Sequence, residues 1–76
     1  MNNKQIGQIL AEETIRVSQM QMEATKTDFI DKQYWAMFHM GFVANMKLNS
    51  ASDKDIDEVL DETQKILSEM ENEPSN

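Results

Sequence analysis

The chain has 76 residues and a formal net charge of −7, enough for one small domain whose single core supplies about 3–5 kcal/mol of net stability. Without cysteine and with one histidine it excludes a disulfide, a thiolate metal site and a thiol nucleophile, and no metal or cofactor is expected. Charges balance through Ser52, whereas Asp53 to Glu73 set nine acids against Lys54 and Lys65, so direct binding to nucleic-acid phosphates is disfavoured.

Glycine occurs only at Gly7 and Gly41 and proline only at Pro74, while Ala, Met, Gln, Glu and Leu are common, so helix is the cheap local state almost everywhere. The expected fold class is all-α: a helical hairpin plus a third helix, one domain over residues 1–72, with a disordered acidic tail at 73–76. The polar opening residues lead into an amphipathic stretch instead of the apolar core of a secretion signal, which makes the cytoplasm the expected compartment. Tyr34 to Met46, the longest strongly apolar run, would reach only about 20 Å of a hydrocarbon layer about 30 Å thick, so no membrane partner is expected.

The first predicted helix, 3–24, places Ile6, Ile9, Leu10, Val17, Met20 and Ala24 at three- and four-residue steps, an apolar stripe that Glu13 interrupts. Thr25 to Asp28 then offers cap-type side chains, and Phe29 and Ile30 fall off the stripe. A break is therefore favoured over one continuous helix, with Thr27 or Asp28 capping a second helix over 28–48. Projected at about 100° per residue, that helix carries one stripe of Ile30, Tyr34, Met37, Gly41, Ala44 and Leu48, and a second of Trp35, His39, Phe42 and Met46, bridged by Phe38. Met40 and Val43 occupy the remaining arc. A helix so apolar around its circumference is expected to be buried. The third helix, 53–71, begins at a Ser52/Asp55 capping-box pattern and shows one face of Ile56, Val59, Leu60, Thr63, Ile66, Leu67 and Met70.

One stripe from each outer helix cannot cover the middle helix, and a large uncovered apolar patch is unusual on a monomer. Self-association into a homo-oligomeric helical bundle, a dimer first of all, is the simplest cover; a heterologous protein partner is the other. The residues expected at that interface are Trp35, Phe38, Met40, Phe42, Val43 and Met46. On these grounds the chain is read as a non-catalytic protein acting through protein–protein contacts, as a structural, adaptor or regulatory component.

Three motifs compete with that reading. Asp53, Asp55 and Asp57 resemble the opening of a calcium loop, but Glu58 stands where its glycine is needed and Gln64 where its bidentate glutamate is needed. His39 has no acid three or four residues away, which favours a packed or interface histidine over a catalytic one. The carboxylates Glu12, Glu13, Asp28 and Asp31 have no evident pocket in which to form an acid–base pair, and no catalytic residue is assigned. The alternative function is an acidic imitation of a nucleic-acid backbone, directed at a DNA- or RNA-binding protein through Asp57, Glu58, Asp61 and Glu62.

Overall fold

The computed structural model describes residues 2–28 and 32–71. Over these residues it is all-helical: α1 (Asn3–Thr25), α2 (Lys32–Leu48) and α3 (Asp53–Glu71). The expected start of the second helix near Phe29, Ile30 on its first stripe, and the tail at 73–76 lie outside the described residues.

Each helix end has a local cause. At the start of α1, Asn2 Oδ1 accepts the Gln5 amide at 2.9 Å while Gln5 Oε1 accepts the Asn2 amide at 3.1 Å, a reciprocal capping box. The break after α1 forms without glycine. Lys26 adopts the left-handed conformation at φ 56°, and the Thr27 amide closes back on the Met22 carbonyl at 3.0 Å, the six-residue return of a Schellman motif. The end of α2 repeats the device: Ser50 sits at φ 64°, with the Ala51 amide on the Met46 carbonyl and the Ser50 amide on the Lys47 carbonyl, both at 3.0 Å. Ser52 Oγ then accepts the Asp55 amide at 3.1 Å, capping α3 as its sequence predicts.

The packing order differs from the expectation. The middle helix is not the buried one. α1 and α3 lie side by side as the close pair, and α2 leans on that pair. The face of α1 that α3 and α2 cover is Gly7, Leu10, Ala11, Thr14 and Ser18, a stripe of mostly small and hydroxyl-bearing residues at steps of three and four. Of the expected apolar stripe only Leu10 is fully buried; Ile6 and Val17 are half-buried, and Ile9, Met20 and Ala24 are exposed. Glu13, the residue that interrupts that stripe, accepts Arg16 at 2.7 Å on the surface.

The small residues explain the correction. A Cβ built on Gly7 would stand 2.7 Å from Glu62 Cβ and 3.0 Å from the Val59 carbonyl oxygen, so the two backbones approach more closely than any side chain at position 7 allows. Thr63 Oγ donates within the same contact, its hydrogen shared between the Val59 carbonyl at 2.9 Å and the Gly7 carbonyl at 3.1 Å. Asn3 Nδ2 reaches Asp55 and Glu58 at 2.9 and 2.7 Å, which fixes α1 and α3 parallel. From α3, Ile56, Val59, Thr63 and Leu67 are buried, as its pattern predicts, with Leu60 and Ile66 half-buried and Met70 exposed. The faces expected to wrap α2 are thus largely spent on each other.

Candidate interaction surface

Only Trp35 and His39 of α2 are buried. They are one turn apart and meet two α1 residues also one turn apart. Trp35 Nε1 donates to Ser18 Oγ, whose own hydrogen goes to the Thr14 carbonyl at 2.7 Å. His39 Nε2 lies 3.1 Å from Thr14 Oγ1, which donates to the Leu10 carbonyl at 2.6 Å. Each hydroxyl spends its proton inside α1 and accepts from α2, so the two contacts fix α2 antiparallel to α1 at one register. Burial holds the His39 imidazole below its ordinary value. Its ring lies against Phe38, centroids 6.2 Å apart and tilted by 60°.

This docking decides which side of α2 faces outward in the single chain. Trp35, expected in a partner's groove, is buried in the chain's own core with Ala11 and Leu67. Phe38, Phe42, Val43 and Met46 share its side of the helix and are half-buried. Of the six residues expected at an interface, only Met40 is exposed. The outward side is instead the stripe expected to lie against a neighbour within the chain: Tyr34, Met37, Gly41, Ala44 and Leu48 are all exposed. Met37 is 71% exposed, Met40 70% and Leu48 82%. Nothing lies within 4 Å of a Cβ built on Gly41.

Shallow clefts run along both flanks of this face. Met37, Phe38, Gly41, Phe42 and Asn45 line one. Between α2 and α3 lies another, lined by Met40, Val43, Ala44, Lys47, Leu60 and His39. A smaller apolar recess of about 180 Å³ lies behind Trp35, walled by Ile15, Met22, Leu67 and Met70.

The acidic residues of α3 divide by role. Asp57, Glu58 and Asp61 are exposed and Glu62 is half-buried. Glu58 accepts from Asn3, and Glu62 packs its Cβ over Gly7, so two members of the expected acidic partner face also serve the α1–α3 contact. The Asn3 hydrogen bond, then those from Ser52, hold the Asp55 carboxyl below the usual carboxylate range. Among the described residues no group of three or more His, Cys, Asp or Glu side chains is placed to hold a metal ion. No helix among them is long and apolar enough to cross a membrane.

The sequence reading missed Thr14 and Ser18 as the residues that orient α2, and Tyr34, Met37 and Leu48 as its outward face. A hydropathy pattern passes over hydroxyls. A search for small and hydroxyl residues at three- and four-residue steps would have found Gly7, Ala11, Thr14 and Ser18 as a close-packing face. No family model, curated protein or solved structure matches the chain.

Proposed function

We propose that this chain is a non-catalytic protein–protein interaction unit that pairs with a second copy of itself through the outward face of α2. The carrying observation is the exposure of Tyr34, Met37, Met40 and Leu48 along one side of a single helix. Together they present on the order of 500 Å² of largely apolar surface, in the upper part of the range of the largest patch on a monomer, a patch that is often functional. With Phe38 and Phe42 at the rim, this approaches the area of about 800 Å² per partner typical of a specific interface. Gly41 and Ala44, near the centre of the stripe, let a second helix come close. A twofold arrangement of two α2 helices covers the same residues on both copies at once, which suits a chain whose own core is small. α2 contains Lys32 and Lys47 and no acid, so two paired α2 helices bring no carboxylate of their own against each other.

Light scattering on the wild type and on Met37→Asp tests the proposal. Met37 touches little of its own chain, so the variant keeps its helical content. The wild type has twice the chain mass and the variant the mass of one chain. A wild type that stays at single-chain mass up to sub-millimolar concentration overturns the reading, as does a Met37→Asp variant of unchanged dimeric mass.

A further inference from the structure

α2 is attached differently from α3. The α1–α3 pair is locked by backbone approach at Gly7, by Thr63 and by Asn3, whereas the buried side chains of α2 are Trp35 and His39 alone. His39 is the one side chain in the sequence whose ordinary pKa lies between pH 5 and 8. It sits at the centre of the attachment.

The proton bookkeeping at that contact is fixed by its neighbours. The hydrogen of Thr14 Oγ1 is committed to the Leu10 carbonyl, so His39 Nε2 carries the hydrogen that Thr14 accepts, and Nδ1 is the nitrogen that takes up a further proton. α1 presents to the ring the uncharged Thr14, and the neighbouring Glu13 is bonded to Arg16. α3 contributes Leu60, Gln64, Leu67 and Ser68 to the clefts on either side of the ring, none of them charged. From α2 itself, Lys32 lines one of those clefts and Lys47 the other. An imidazolium here is desolvated, and among the described residues lining its clefts there is no carboxylate to offset the charge.

We propose that α2 is an acid-released arm: protonation of His39 undocks it from the α1–α3 pair and bares Trp35, Phe38, Phe42 and Met46, while α1 and α3 stay together. The sign follows from linkage. Docked His39 is held below its ordinary value by burial, so the released arm binds the proton more readily. Docking is at full strength above about pH 6.5 and weakens as pH falls through the window below it, by up to about tenfold per pH unit. Asn3 holds the Asp55 carboxyl below the usual carboxylate range, and the Gly7 and Thr63 contacts carry no titrating group, so that pair persists through the same window. The device does not require the pairing proposed above, because the contacts it breaks are those of Trp35 and His39 with α1.

Trp35 is the only tryptophan and reports this docking. Its emission is recorded from about pH 8 to about pH 5 beside far-ultraviolet circular dichroism, for the wild type and His39→Gln, which can still donate to Thr14 but cannot titrate. The expected result is a red shift below about pH 6.5 with helicity retained in the wild type, and no shift in the variant. A constant wild-type emission overturns the proposal. So does a shift in both proteins, or a loss of helicity that accompanies the shift. Should His39→Gln fail to fold, the ring protons of wild-type His39 followed by NMR decide: a midpoint below about 6.5 supports the device, and one at or above it refutes it.

Discussion

The two glycines are expected to respond in opposite ways to the same substitution. Gly7→Ala adds a Cβ at 2.7 Å from Glu62 Cβ and 3.0 Å from the Val59 carbonyl oxygen, neither of which is the free end of a flexible side chain. α3 has to retreat by a few tenths of an ångström or more along its contact with α1, which also lengthens the 3.1 Å bond from Thr63 to the Gly7 carbonyl. Overpacking of this kind costs about 1–3 kcal/mol, and alanine's better helix propensity returns about 0.5–1 kcal/mol. The net loss is about 1–2 kcal/mol, a large share of the stability of a domain this small and about 5–15 °C in Tm. Gly41→Ala meets nothing within 4 Å and keeps the whole propensity gain of about 0.5–1 kcal/mol. Urea and thermal unfolding followed by circular dichroism, at concentrations where both variants have the same mass, read the two changes. If Gly7→Ala is as stable as the wild type, the close α1–α3 approach described above is wrong; if Gly41→Ala destabilises the single chain, the open surroundings of Gly41 are wrong.

Two further substitutions test the other devices of the fold. Lys26→Gly should stabilise the chain by about 0.5–1 kcal/mol, because the left-handed conformation at φ 56° disfavours a residue with a Cβ; a lower unfolding midpoint in urea would count against the Schellman closure. Ser18→Ala leaves the Trp35 indole N–H without its acceptor and should cost about 1–3 kcal/mol, with a change in tryptophan emission; an unchanged unfolding midpoint and emission would count against that contact.

Which parts of this architecture the sequence discloses follows from which forces act there. The capping box at Ser52 and the apolar face of α3 are written in residue types that act locally or by hydropathy, and the structure keeps both. The break after α1 is foreseen from Phe29 and Ile30 leaving the stripe, but its mechanism is not, since Lys26 and Ser50 take a backbone conformation that is ordinarily signalled by glycine. The face of α1 is the clearest failure. Gly7, Thr14 and Ser18 are buried because they are small and because the two hydroxyls bond to carbonyls of their own helix and to α2, so a count of apolar side chains selects Ile9 and Met20, which the structure leaves in solvent. The same error propagates to α2. Once α1 and α3 are understood to pack on each other, the hydrogen-bonding tips of Trp35 and His39 pick the inward side, and the purely apolar stripe of Tyr34, Met37 and Leu48 is what remains outside. That the middle helix presents more apolar surface than its neighbours cover was legible from composition; which residues would be left uncovered was not.

The central claim is that a second copy covers the outward face of α2, and filtered NOE measurements on a mixture of isotope-labelled and unlabelled chain test it most directly. The account predicts intermolecular contacts from the methyl groups of Met37, Met40 and Leu48, and none from the indole of Trp35. A concentrated sample in which those methyls show no contact across chains, or in which the contacts arise from α3, contradicts it.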